Sequence, residues 1–322
     1  MGTRMSDCKI GLALGGGSAR GWAHIGVLKA LQEAGIVPDI VAGTSIGAVV
    51  GGCYVAGELE ALEQFARELT RRKVLGFLDF NFSGSGLITG QRLCNVLDAR
   101  LKEIEIERLP RRFVAVATEI GSGHEIWLSR GRLVDAMRAS YALPGIFRPV
   151  RINGRWLFDG ALVNPIPVSV CRALGARYVI AVNVNWDSCG RGTVVPHMDV
   201  LEAAEDVPMP PVAEASYSLG VGGMRQLLKR QFFGRTDAGP GISRVMMEAF
   251  NIVQDRIARS RLAGDPPDAV ISPRLPEFGL FDFHQADALI KGGMLAAQRE
   301  LEDIKRELAL RRPPRATMAR FA

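Results

Sequence analysis

The sequence predicts an α/β fold with a mainly parallel central sheet covered by helices on both faces. Three observations carry that prediction. Short, near-continuous apolar runs recur along the chain, as buried parallel strands require. Segments with helical spacing separate them, which is the alternation of a β-α-β fold. The 322 residues are 48% hydrophobic and 23% charged, enough apolar material for a substantial core and too much for a disordered chain.

In chain order, residues 8–14 read as a buried strand that ends at three glycines. Residues 22–34 have helical spacing, with Ile25, Leu28 and Leu31 on one face and Gly35 as the stop. A second short strand is expected at 38–42 and a buried helix at 46–56. Amphipathic helices at 58–72 and 91–103 flank residues 77–90, whose Gly, Ser and Phe content suits a lid or cleft loop. Strands at 112–120 and 124–129 precede a helix at 133–140. A hairpin follows at 147–152 and 155–158, turning at Asn153-Gly154. Residues 165–174 read as a helix with proline at its start, and 177–183 as another buried strand. The pattern breaks down over about 187–241, then resumes with a helix (242–262), a strand (269–272) and a long charged helix (283–310). The expected organisation is one domain over 1–310 with a variable insertion at about 187–241, and a basic tail at 311–322.

The net charge of +6 is a mild basic excess, suited to an anionic surface and no case for nucleic acid. The five cysteines are scattered and never spaced as CxxC, so neither a disulfide framework nor a zinc site is expected. A reducing, cytoplasmic setting follows as the default. The N-terminal apolar run is short and preceded by Asp7, a poor signal peptide. Residues 40–57 carry no charge, yet Gly43, Gly47, Gly51 and Gly52 punctuate them. A buried strand, turn and helix explain this stretch better than a membrane span.

Gly43-Thr44-Ser45-Ile46-Gly47 is a G-x-S-x-G pentapeptide between a predicted strand and a predicted helix. A serine on such a turn projects its hydroxyl, while Gly43 and Gly47 let strand and helix close around it. The helix N-terminus favours a developing negative charge. A plain glycine–serine turn is the bland alternative. Gly15-Gly16-Gly17-Ser18-Ala19-Arg20-Gly21 also lies between a strand and a helix. Its amides suit either an oxyanion hole or a phosphate cradle. The dinucleotide fingerprint wants glycine at the first, third and sixth places, and the sixth here is Arg20. The acidic residue that should end the second strand is Asp39, which begins it. A nucleotide-dependent oxidoreductase loses on both counts.

A serine nucleophile needs a base. His24, His124, His197 and His284 have no setting that marks a triad member. Asp159-Gly160 closes the apolar run WLFDG, where an apolar setting would raise the basicity of a carboxylate. Read alone, the pair is more often a turn.

Four blocks, GLALGGGSARGWAHIGVLKAL, GTSIGA, RASYALPGIFRPV and DGALVNPIP, resemble in order and spacing those of patatin-like phospholipases. The likeness is strongest to the bacterial branch related to the catalytic domain of neuropathy target esterase. It runs from about Lys9 to Asn183, with a weaker echo at 278–293. It implies a patatin-like three-layer architecture and a Ser–Asp dyad acyl hydrolase. Ser45 would be the nucleophile, Asp159 the base, and Gly15, Gly16 and Gly17 the oxyanion donors. Arg20, Gly43, Gly47 and Gly160 would support the site, and Pro144 would shape the wall beside it. The expected substrate is a phospholipid, lysophospholipid or related acyl ester, with no calcium or other cofactor implied. A non-catalytic regulatory or adaptor protein keeping the same fold is the alternative; both dyad residues are nevertheless intact. Residues 225–235 mix Leu227, Leu228, Phe232 and Phe233 with four basic side chains. They suit either peripheral contact with an anionic membrane or a helix packed on the core.

Overall fold

The computed structural model describes residues 8–77, 91–185, 242–279 and 281–311. Most of the expected lid stretch, the insertion with its segment 225–235, and the tail beyond Arg311 lie outside these residues. The chain divides into two compact units: Met1–Cys189 with Asp255–Ala322, and Gly190–Gln254. The second is described only as the first turns of a helix.

Eight strands are described: β1 (Ile10–Leu14), β2 (Ile40–Thr44), β3 (Arg112–Glu119), β4 (Glu125–Leu128), β5 (Val150–Ile152), β6 (Arg155–Asp159), β7 (Tyr178–Val182) and β8 (Ala269–Ile271). They form one sheet in the order β5-β6-β3-β2-β1-β7-β8, with β4 also paired to β3. The run β3-β2-β1-β7-β8 is parallel, whereas β4, β5 and β6 join antiparallel. The parallel character is therefore confined to one side. Asn153 and Gly154, at φ 48° and 80°, make the tight turn between β5 and β6.

The helices are α1 (Ala23–Glu33), α2 (Ile46–Val55), α3 (Leu59–Arg67), α4 (Arg71–Phe77), α5 (Gln91–Leu101), α6 (Leu133–Ser140), α7 (Val168–Ala173), α8 (Ile242–Gly264) and α9 (Ala286–Arg311). Strand alternation sorts the core into layers. Leu12, Leu14, Val41, Ile180 and Val182 face α1, α2 and α9. Ala13, Ile40, Ala42, Val114, Val116, Val179 and Ala181 face α7 and the last turns of α8. Because both faces of β1, β2 and β7 are covered, these strands are apolar throughout rather than alternating.

Three element boundaries differ from expectation for local reasons. The helix expected at 58–72 is two helices, because the Thr70 hydroxyl accepts the Lys73 amide at 3.2 Å and caps a new start. The helix expected from Pro165 begins at Val168, since Pro165 and Pro167 donate nothing and the Pro165 carbonyl serves another loop. The strand expected at 147–152 begins only at Val150, after Pro149, while the Phe147 amide turns back to the Leu143 carbonyl at 2.9 Å.

Helices α1 and α9 cross with their backbones in contact at two glycines. A β-carbon on Gly26 would strike the Ile290 carbonyl, and one on Gly293 would strike the Ala23 carbonyl. Gly26→Ala is expected to destabilise the fold by about 3 kcal/mol despite alanine's better helix propensity. Urea unfolding would show it, and an unchanged midpoint would contradict this packing.

Candidate active site

Strand order reverses around β1, which lies between β2 on one side and β7 on the other. In open α/β sheets such a point leaves a crevice at the carboxyl ends of the strands. The two glycine turns named above leave β1 and β2 there. They touch: a β-carbon on Gly47 would strike the Leu14 and Gly15 carbonyls, and one on Gly21 the Ile46 side chain. Gly43 is pressed against the backbone of Gly47 and Ala48 inside its own turn. Two of the three described non-glycine residues with positive φ sit on these turns, Ser18 at 49° and Ser45 at 58°. Strain of this kind persists only where surrounding structure enforces it.

Ser45 stands between the end of β2 and the N-terminus of α2. Its hydroxyl donates to Asp159 Oδ2 at 2.6 Å, across 114 positions of sequence. Asp159, at the end of β6, is only 1% exposed. Four bonds fix it. Its Oδ1 accepts the Ala161 amide (2.9 Å) and its own amide donates to the Ala142 carbonyl (3.0 Å). The Thr118 hydroxyl donates to its carbonyl at 2.9 Å, and Oδ2 accepts the hydrogen bond from the Ser45 hydroxyl. Burial raises its pKa from 3.8 to about 7; the bonds from Ser45 and Ala161 oppose the shift without cancelling it. Gly160 lets this corner lie flat on β3, since a β-carbon there would strike the Val116 carbonyl. The Thr44 hydroxyl donates to the Asn164 carbonyl at 2.8 Å, tying the serine turn to the DGALVNPIP block.

The three glycines expected as oxyanion donors are not equivalent. The Gly15 amide donates to the Val182 carbonyl at 3.1 Å and the Gly16 amide to the Pro165 carbonyl at 3.0 Å. Both are therefore spoken for by backbone. The Gly17 and Ser18 amides meet no acceptor among the described residues. Arg20 does not reach the dyad. Its Nε donates to the Phe278 carbonyl at 2.9 Å and its guanidinium to Asn185 Oδ1 at 3.2 Å. Asn185 in turn donates to the Gly16 carbonyl at 3.0 Å. Arg20 thus anchors the glycine turn to the segment before α9. Pro144 lies half-buried in the turn after α6, two residues beyond the Ala142 carbonyl that holds Asp159.

Spacing missed two contributors. His24 is fully buried, with Nε2 2.8 Å from the Gly15 carbonyl. Burial lowers its pKa to about 4, so the neutral ring donates from Nε2, and Nδ1 has no hydrogen-bond partner among the described residues. Ser140 is fully buried and accepts the Ser45 amide at 2.9 Å. A single histidine in a helix and a serine at a helix end carry no sequence signal of their own. Among the described residues, no cluster of His, Cys, Asp or Glu is arranged to hold a metal ion.

Residues 12–172 match the family model for patatin-like phospholipase. An uncharacterized NTE family protein of Mycobacterium bovis is 32% identical, over 92% of this chain and 92% of its own length. The chain belongs to the patatin-like phospholipase family. The neuropathy target esterase of Drosophila melanogaster is 37% identical over 182 residues, which span 54% of this chain and 13% of that protein. The crystal structure of VipD from Legionella pneumophila has a TM-score of 0.52 at 14% identity, covering 92% of this chain and 67% of VipD. That last likeness is one of fold. Family membership indicates an esterase or lipid hydrolase. No helix among the described residues is long and apolar enough to cross a membrane.

Proposed function

We propose that the protein is a serine acyl-ester hydrolase of phospholipase A or lysophospholipase type. The observation behind this reading is the 2.6 Å bond from the Ser45 hydroxyl to a buried carboxylate whose pKa lies near 7. An ordinary carboxylate is too weak a base to take a serine proton at neutral pH; burial narrows that gap. Ser45 Oγ attacks the ester carbonyl carbon while Asp159 takes its proton. The Gly17 and Ser18 amides stabilise the oxyanion, and Gly15 and Gly16 form the frame that aims them. Asp159 passes that proton to the departing alkoxide, so the alcohol leaves, an acyl-enzyme remains and the carboxylate is ionised again. Asp159 then accepts a proton from water, hydroxide attacks the acyl carbon, and the acid departs as the proton returns to Ser45.

Substrate would reach the site from a lipid surface, with the mixed basic and apolar segment 225–235 making peripheral contact with anionic headgroups. The test is fatty-acid release from lysophosphatidylcholine micelles and from vesicles of phosphatidylcholine with phosphatidylglycerol. Wild type releases fatty acid, and Ser45→Ala lowers the rate by at least about a thousandfold. Equal release by the two proteins would overturn the assignment.

A further inference from the structure

We infer that Ser140 is the positioning residue that sets the nucleophile against its base, an inference that rests on the dyad reading above. Ser45 occupies φ 58°, ψ −127°, a backbone conformation that a side chain disfavours. Something must hold it there. The Ser45 amide donates to Ser140 Oγ at 2.9 Å, and Ser140 gives its own proton to the Val116 carbonyl at 2.6 Å. A hydroxyl has one proton, so committing it to Val116 leaves a lone pair aimed at Ser45 and fixes the direction of the chain. Ser140 is fully buried, so water cannot substitute for it.

The same short stretch also holds the base. Ala142, two residues beyond Ser140, accepts the Asp159 amide at 3.0 Å. The Val116 carbonyl that receives the Ser140 proton is the group against which Gly160 lies, next to Asp159. Nucleophile and base are thus referenced to one patch of backbone, the end of α6 with the middle of β3. The 2.6 Å dyad contact is set by these two anchorages rather than by Ser45 and Asp159 alone. Two consequences follow. The Ser45 amide is consumed by Ser140, which leaves oxyanion stabilisation to other amides. Loss of the Ser140 hydroxyl strands a buried amide and lets Ser45 relax toward negative φ, away from Asp159.

The experiment compares wild type, Ser140→Ala and Ser140→Thr in three readouts. These are kcat and KM on p-nitrophenyl butyrate, the rate of modification by a fluorophosphonate, and crystal structures of wild type and Ser140→Ala. In Ser140→Ala, kcat and the modification rate are expected to fall together by about 10- to 100-fold, with KM within about threefold of wild type. The Ser45–Asp159 contact should open beyond hydrogen-bond distance. Ser140→Thr, which keeps the hydroxyl, should restore most of both rates. Rates in Ser140→Ala within about twofold of wild type would overturn the inference. So would equal losses in both variants with Ser45 unmoved, the mark of a merely structural role. If wild type itself neither hydrolyses nor labels, the hydrolase reading fails. The crystal structures still decide the positioning role, and Ser45 keeping its conformation without the hydroxyl would overturn it.

Discussion

Asp159→Asn is expected to abolish turnover and, at the same time, to make the fold more stable at pH 8. Asparagine keeps the shape of the corner: its oxygen can accept the Ala161 amide and its amide can donate to Ser45 Oγ. It cannot take a proton, so kcat should fall by at least about a thousandfold. The stability effect follows from the raised pKa. The folded carboxyl titrates at about 7 and the unfolded one at its ordinary value of 3.8. Between those values the folded state binds the extra proton, so wild-type stability declines as pH rises from about 4 to about 7. Above that window the wild type carries a buried, costly charge that the variant lacks. The gain in melting temperature of Asp159→Asn over wild type should therefore be larger at pH 8 than at pH 5. Equal differences at the two pH values would contradict the raised pKa. The same titration predicts that wild-type kcat/KM falls about tenfold per pH unit below 7, because only the ionised carboxylate is a base.

Gly47→Ala is the second large effect, and propensity alone predicts the wrong sign. In an exposed helix alanine is better than glycine by about 1 kcal/mol. Here the added methyl meets the carbonyls of Leu14 and Gly15, backbone that cannot swing aside. Relief requires the serine turn and the glycine turn to part by roughly an ångström, and a displacement of that size costs catalysis about a hundredfold. The variant should lose about 2 to 4 kcal/mol of stability and at least about a hundredfold in kcat. Denaturant unfolding and ester hydrolysis on the same preparation would check both. A folded, fully active Gly47→Ala would mean that the two turns do not touch.

Much of this fold is legible in the sequence. Buried parallel strands announce themselves as unbroken apolar runs, so β1, β2, β3 and β7 were each expected within a few residues of where they lie. Ser45 was legible because a glycine-flanked serine between strand and helix has a local mechanical reason to exist. Asp159 was not, since Asp-Gly makes an ordinary turn and its partner is 114 positions away; the family likeness supplied it. Which glycine amides remain available was beyond reach as well. That depends on the carbonyls of Val182 and Pro165, which only the fold brings to Gly15 and Gly16. Ser140 illustrates the same limit: its importance lies in the two backbone groups it joins, one on β3 and one at the serine turn.

Intact mass after exposure to a fluorophosphonate probe, for wild type, Ser45→Ala and Asp159→Asn, tests the Ser45–Asp159 pair most directly. A single adduct on wild type, absent from Ser45→Ala and strongly slowed in Asp159→Asn, is the expected result. An adduct that persists in Ser45→Ala, or forms at the wild-type rate in Asp159→Asn, would contradict an activated serine driven by this carboxylate.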